Sequence, residues 1–323
     1  MVKMEENVMD KKEFIKKLKE MLQERLGEDY SIAEHSQVKN NKNLLSGLVI
    51  QRTGTDLGMV VYLDKFFEEY QKGSALDEIA AALYKKIGDA EIPEELSGDY
   101  LKELVRSYEA ARPMIFCKLV NEKANRELLQ EVPYFPFLDL AVIFYIQVAE
   151  TSSEQMAITI DNKIMELWGI DSRQLYQDTM YHMKTNVPQQ LQSLNDIVEG
   201  FLGEEEKKIF QEAIRKGKEK SETMAELYCL QNSSKFGATS LLYGDTIAKF
   251  AEQVQSDLLI LPSSIFEVLL YPDNGSQYYE ELQDMVQSIN QIEVSREDQL
   301  SNSIYKYDRS TRKISIVYQG EDL

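Results

Sequence analysis

Apolar residues recur every three or four positions over residues 10–26, which is the spacing of one face of an α-helix. Phe14, Leu18 and Leu22 lie on that face, and lysines and glutamates fill the other. Gly27 follows directly, and glycine is typical of the position just after a helix. The pattern predicts a helix from Asp10 to Leu26 with one buried face.

Three strand-like segments follow, each separated from the next by polar turn residues. They are Tyr30–Val38, Leu44–Arg52 and Met59–Leu63. Short turns between successive strands are typical of an antiparallel meander. Helices are predicted after the meander, one opening at Asp64 and one over Ala75–Ile87.

The middle of the chain alternates between apolar runs and helical patterns. It predicts strands at Met114–Val120, Leu138–Val148 and Met156–Ile160, and the last two are predicted to be antiparallel neighbours. Helices are predicted to begin at four polar or proline residues, Asp161, Asp171, Pro188 and Glu204.

Two later runs, Leu258–Leu261 and Phe266–Tyr271, lack the polar alternation of a half-exposed strand. Continuous apolar runs indicate strands covered on both faces, so this pair is predicted to be central in its sheet. Two further antiparallel pairs are predicted, Leu227–Gln231 with Gly237–Leu242, and Ser303–Tyr307 with Lys313–Val317.

Together these elements predict an α+β protein in which helices pack against a mixed, mainly antiparallel sheet. A chain of 323 residues is long enough to bury one large core or two smaller ones. We therefore expect a single large domain over residues 10–320, with two lobes, 10–150 and 151–320, as the alternative.

The formal net charge is −19 and the isoelectric point about 4.7. Nucleic-acid binding needs a basic stripe, so this balance argues against a DNA or RNA partner. No apolar run approaches the ~20 residues of a membrane helix, and the first residues lack the apolar core of a secretory signal. The sequence predicts a cytoplasmic protein that does not bind membranes.

An aspartate follows the end of four apolar segments: Asp64, Asp161, Asp245 and Asp273. Carboxylates gathered at one sheet edge could hold a divalent cation, which would suit a metal-dependent hydrolase. Aspartates at such junctions more often cap helices or form turns, because their side chains accept unpaired backbone N–H groups. We predict caps and turns, with no metal site, no cofactor and no catalytic residue.

The remaining candidates for chemistry have no telling context. Ser263 and Ser264 follow a buried strand, but a hydrolytic serine usually needs a histidine base, and the chain has only His35 and His182. We interpret the serines as turn residues and Trp168 as a core anchor. Cys117, Cys229 and the two histidines are not at the spacing of zinc ligands, so both cysteines are predicted to be small buried residues.

Several local patterns resemble a family of uncharacterised bacterial proteins, typical of gut Clostridia and their relatives and known only as a domain of unknown function. The resemblance runs from about Phe14 to Val317. It depends on four groups of residues: Val60–Asp64 with Phe67, Tyr70 and Gly73; Ile158–Ile160 with Leu167–Ile170; Phe236–Ala238; and Leu261–Ser264 with Glu267 and Val268. More distantly, the last two thirds are similar to another uncharacterised Firmicute family. Neither resemblance implies an activity, a cofactor or a catalytic residue.

These observations favour a non-catalytic cytosolic protein with an interaction or regulatory function and an unidentified protein partner. Two alternatives stay open. One is the metal-dependent hydrolase with strand-end carboxylates. The other is an acidic inhibitor that mimics DNA, although the acidic residues are dispersed rather than gathered into one block.

Overall fold

The computed structural model describes residues 9–38, 40–54, 58–89, 98–150, 155–220, 226–273, 275, 279–292 and 294–323. The chain divides into two compact units, residues 1–103 and 104–323. The protein has the predicted α+β class, and the described strands form three separate sheets in which every strand pair is antiparallel. The predicted single domain of residues 10–320 stays a prediction.

The first unit is the predicted meander with helices packed on it. Its elements in chain order are α1 (Lys11–Leu26), β1 (Tyr30–Val38), β2 (Leu44–Arg52), β3 (Gly58–Tyr62), α2 (Asp64–Gln71) and α3 (Leu76–Asp89). The Asp10 carboxylate caps α1 by accepting the Glu13 amide at 2.8 Å. The buried face of α1, including Phe14, packs with Leu48 of β2 and Leu83 of α3 in one core cluster.

The second unit begins within α4 (Gly98–Arg106) and holds two sheets. The elements of the first sheet and its flanking helices are α5 (Tyr108–Ala111), β4 (Ile115–Asn121), α6 (Leu128–Glu131), β5 (Tyr134–Phe137), β6 (Leu140–Glu150), β7 (Gln155–Thr159), α7 (Asn162–Trp168) and α8 (Ser172–Asn186). Strand β6 pairs with β4, β5 and β7. The predicted neighbours β6 and β7 are confirmed.

The second sheet of this unit has six strands. Its elements and helices are β8 (Gln189–Ser193), α9 (Leu194–Phe201), α10 (Glu204–Lys220), β9 (Tyr228–Asn232), α11 (Thr246–Val254), β10 (Leu258–Leu261), β11 (Val268–Pro272), α12 (Tyr279–Ile292), β12 (Ile304–Asp308) and β13 (Lys313–Tyr318). The strand order is β13-β12-β10-β11-β9-β8. The predicted central pair and the predicted final hairpin are both confirmed.

Two predicted elements are wrong. Residues Gly237–Leu241 form a fully buried 3-10 helix, not a strand paired with β9. Strand β9 already has β8 on one side and β11 on the other, so it has no free edge for another strand. The 3-10 helix instead donates the Ala238 amide to the Ile265 carbonyl at 3.2 Å.

The second error lies after Pro188, where a helix was predicted and strand β8 is found. The Gln189 side chain donates to the carbonyls of Ser240 and Tyr243, both at 2.7 Å. Its own carbonyl oxygen accepts the Thr246 hydroxyl at 2.6 Å. These contacts fix Gln189 in an extended strand, and the helix starts later, at Leu194, with Ser193 as its cap.

Candidate functional site

A small polar cavity lies in the second unit, between the end of β4, the β5–β6 turn, the approach to β12 and the chain after β13. Its volume is about 90 Å³. We call it the Asp139 groove, and its lining residues are Asn121, Lys123, Asp139, Ser301, Ser303, Gln319, Gly320, Glu321 and Asp322.

Asp139 is placed by a tight turn. It lies between Phe137 and Leu140, which face each other where β5 and β6 pair. Leu138, the other turn residue, has a left-handed φ of 57°, which residues with a side chain rarely adopt. The Asp139 carbonyl accepts the Glu122 amide at 3.1 Å, and this bond ties the turn to the end of β4.

Three hydroxyl groups donate to the Asp139 carboxylate. Ser301 does so at 2.7 Å, Ser303 at 2.9 Å, and Tyr305 through a short bond to the second oxygen. These residues alternate along the chain, and alternate residues of an extended segment lie on the same side. The extended approach to β12 therefore aims all three hydroxyls at one carboxylate.

The hydroxyl donors are buried, with relative exposures of 1%, 1% and 0% for Ser301, Ser303 and Tyr305. Burial, and then the negative charge of Asp139, raise the pKa of Tyr305 well above its ordinary value. The phenol therefore keeps its proton at physiological pH and remains a donor. Because the serine protons point to Asp139, the serine oxygens present lone pairs to other donors.

A second set of bonds fixes the backbone of the groove wall. The Asn121 side-chain amide donates to the Leu300 backbone carbonyl at 2.9 Å. The Leu300 and Ser301 amides in turn donate to the carbonyls of Ser263 and Pro262, at 3.1 and 3.0 Å. The segment Leu261–Ser264 therefore acts through its backbone, by holding the chain before β12 that carries Ser301 and Ser303. No sequence pattern pointed to this role.

The predicted turn residues Ser263 and Ser264 lie behind this wall. The Ser264 hydroxyl donates to Glu267 at 2.7 Å and accepts the Phe266 amide at 3.1 Å. That arrangement is a local turn, as predicted.

The four strand-end aspartates have different local roles. Asp161 accepts the Ile164 amide at 2.8 Å and so caps α7, as predicted. Asp273 accepts the Gly275 amide at 2.9 Å in a turn, also as predicted, and receives the Lys306 ammonium at 2.8 Å.

The cap prediction is wrong for the other two aspartates. Asp64 is the first helical residue of α2, and its carboxylate binds Lys11 at 2.5 Å and the Ser46 amide at 3.0 Å. Asp245 precedes α11 without a side-chain capping bond. In the described part of the chain, no three His, Cys, Asp or Glu side chains are grouped so that they could hold a metal ion.

The aromatic and sulfur candidates lie in packed surroundings. The His182 ring meets Phe116 edge-on at 5.1 Å, and burial lowers its pKa. Trp168 packs on Tyr108 at 5.3 Å between ring centres, but it is only partly buried, so it is not the fully buried core anchor that was predicted. Cys117 and Cys229 are both buried free thiols, as predicted. None of these residues lines the Asp139 groove.

Within the described residues, no helix combines the length and the apolarity needed to cross a membrane.

Comparison with known proteins places the chain in a family. The sequence model of a family of unknown function (DUF5688) matches residues 11–309, and the chain belongs to that family. No curated protein matches it. No solved structure matches it either.

Proposed function

We propose that this member of the family of unknown function is a non-catalytic interaction protein of the bacterial cytoplasm, and that the Asp139 groove is a recognition surface for a protein partner. One observation carries the proposal. Side chains of the groove bind the backbone of two successive residues, because the Ser303 hydroxyl oxygen accepts the Gly320 amide at 3.1 Å and the Asn302 side chain donates to the Glu321 carbonyl at 3.1 Å. Hydrogen bonds to the N–H and C=O groups of a bound chain supply affinity in many protein–peptide complexes.

The chemistry of the groove supports binding rather than turnover. Asp139 already accepts hydrogen bonds from three hydroxyl groups, so its oxygens are engaged within the protein. The serines are bound to this carboxylate directly, without the histidine that activates most hydrolytic serines. The net charge of −19 further favours a protein partner over a nucleic acid.

Lys123 offers a way to test the proposal. It lines the groove, its side chain is 59% exposed, and it pairs with Asp322. Lys123→Glu should reverse the local charge at little cost to folding, since exposed ion pairs contribute at most about 1 kcal/mol. Lys249→Glu, on the exposed side of α11, makes the same charge change elsewhere and is the matched control.

The experiment is a capture of partners from the lysate of a gut Clostridium, the source that the sequence resemblance suggests. We expect a protein that the wild type and Lys249→Glu retain and that Lys123→Glu loses. If the wild type and both variants retain the same partner, the groove is not part of the recognition surface. A captured DNA-binding protein that duplex DNA releases would favour the acidic DNA mimic instead.

Calorimetric titration separates the proposal from the hydrolase alternative. Mg²⁺, Mn²⁺ and Ca²⁺ are titrated into the wild type and into Asp161→Ala and Asp273→Ala. We expect no site tighter than millimolar. A micromolar site lost in either variant would favour a metal-dependent enzyme.

A further inference from the structure

The residues Gln319–Asp322, which we call the covering segment, lie across the Asp139 groove. Ser303 accepts both the Gln319 side-chain amide at 3.2 Å and the Gly320 backbone amide at 3.1 Å. Asp322 forms a salt bridge with Lys123. The covering segment therefore forms one wall of the groove and belongs to the same chain as the other walls.

Glycine is required at position 320 by lack of space. A Cβ atom there would lie 2.2 Å from the backbone carbon and oxygen of Asn302, and 2.7 Å from its Cβ. Real Cβ atoms do not approach backbone so closely, and backbone atoms cannot move aside as a flexible side-chain end does. The groove wall thus admits a bare backbone at this one point.

The contacts beside Gly320 involve both acidic side chains of the covering segment and one of its backbone carbonyls. The Gln287 side-chain amide donates to the Glu321 carboxylate at 3.1 Å, and the Asn302 side chain donates to the Glu321 carbonyl. Lys123 supplies a positive charge to Asp322. In order along the segment, the groove therefore accepts a glycine and then two carboxylates.

The covering segment is held mainly by polar and exposed contacts. The side chains of Lys123 and Asp322 are 59% and 65% exposed, so salt screens their attraction. Gln319, Glu321 and Asp322 are all exposed, and none belongs to the buried core. Contacts of this kind contribute little individually, so a ligand with the same chemistry can compete for them.

We propose that the covering segment is a displaceable self-ligand, and that the groove's partner is an extended protein segment in which a glycine precedes acidic residues. The inference rests on the proposed function and specifies its partner and regulation. Binding requires the covering segment to leave. The apparent affinity of the free protein is therefore reduced by the fraction of molecules in which the groove is open.

The test uses a fluorescent peptide with the sequence of residues 317–323, blocked at both ends, and the full chain. Gly320→Ala in the protein should displace the covering segment and leave the other walls of the groove in place. We expect this variant to bind the peptide at least about tenfold more tightly than the wild type, because the intramolecular competitor is gone. Gly200→Ala is the control, since a Cβ there meets nothing within 4 Å.

Two altered peptides test the selectivity. Replacing the glycine of the peptide by alanine should abolish binding, because of the contact with Asn302. Replacing its two acids by amides should weaken binding and reduce the dependence on salt. If either altered peptide bound as tightly as the original peptide, the proposed partner class would be wrong.

A second protein variant keeps the test decisive if Gly320→Ala does not fold. The double change Glu321→Gln and Asp322→Asn keeps the number of non-hydrogen atoms and weakens only the contacts of the covering segment. It should also bind the peptide more tightly than the wild type does. If folded Gly320→Ala and this double variant both fail to bind, the self-ligand inference is wrong. A Lys123-dependent partner captured from lysate would still support the proposed function in that case.

Discussion

Tyr305 donates its phenolic hydroxyl to the carboxylate of Asp139, which joins a fully buried ring on β12 to the turn between β5 and β6. This bond links the two sheets of the second unit, since β12 belongs to the six-stranded sheet and the turn to the four-stranded one. Asp139 thus stabilises the unit and also shapes the groove.

Asp139→Ala should destabilise the second unit more than Tyr305→Phe does. The alanine leaves three buried hydroxyls without their acceptor, while the phenylalanine removes one donor. Losing a bond to a charged group costs about 1.5–3 kcal/mol, so we expect that loss for Tyr305→Phe. Asp139→Ala should cost about 2–4 kcal/mol, because water in the groove replaces part of what is lost.

Urea unfolding followed by the fluorescence of Trp168 measures this difference. Trp168 is the only tryptophan of the chain and belongs to the second unit, so its signal reports on that unit. Equal losses in the two variants would mean that the carboxylate does not support the serines.

Gly237→Ala should be strongly destabilising. A Cβ at this position would lie 2.1 Å from the Phe266 carbonyl oxygen and 3.0 Å from the Gln231 Cβ. Overpacking of this kind costs about 1–3 kcal/mol or more, because backbone must shift. Gly200→Ala in α9 makes the same chemical change in open space and should stabilise by about 0.5–1 kcal/mol. A tolerated Gly237→Ala in the same fluorescence assay would contradict the packing of the 3-10 helix.

The same segment shows where sequence reasoning succeeds and where it stops. The central position of β10 and β11 was predictable, because a run of apolar residues without alternation indicates cover on both faces. Residues Gly237–Leu241 are small or apolar apart from Thr239 and Ser240, and such a short run does not separate a strand from a short buried helix. Gly237–Leu241 cannot pair with β9 because β8 and β11 already pair with its two edges. This pairing is long-range and cannot be read from the local sequence.

The Asp139 groove was not predicted for a similar reason. Asp139 and Ser301 are 162 positions apart along the chain. Neither has an unusual local context, and the acids singled out instead were those at strand ends. The available signal was the alternation of Ser301, Ser303 and Tyr305, which places three hydroxyls on one side of an extended segment. Their common acceptor becomes visible only when the two sheets are assembled.

Asp308 should make the second unit more sensitive to acid. Its carboxylate accepts the Ser310 hydroxyl and the Thr311 amide, both at 2.7 Å, and these bonds lower its pKa from 3.8 to about 2. A lowered pKa in the folded state stabilises the protein above the unfolded value, and that stability is lost as the pH falls through the folded value. The loss therefore lies between pH 3.8 and about 2.

Asp308→Asn isolates this effect, because asparagine can form the same turn but does not titrate. Between those pH values the wild type should lose stability more steeply than Asp308→Asn. Asp257 remains in both proteins and contributes equally; its pKa is lowered first by the Arg309 amide and then by Lys306. Unfolding measured by Trp168 fluorescence across this pH range provides the comparison. Parallel pH profiles would show that the turn does not hold the Asp308 carboxylate.

Ile260→Ala tests the architecture of the six-stranded sheet. Ile260 is fully buried in β10, where it pairs with Leu270 on one side and Tyr305 on the other. Truncating its side chain removes buried apolar area and leaves a cavity against one face of the sheet, which costs about 2–5 kcal/mol. That is a large part of the ~5–15 kcal/mol that stabilises a typical domain.

Ile316→Ala, on the partly exposed edge strand β13, makes the same truncation and should cost clearly less. The difference between the two variants in urea unfolding measures how much deeper the centre of the sheet is buried than its edge. If Ile260→Ala cost less than about 1 kcal/mol, well under the usual core value, β10 would not be central, and the wall that positions the Asp139 groove would lose its support.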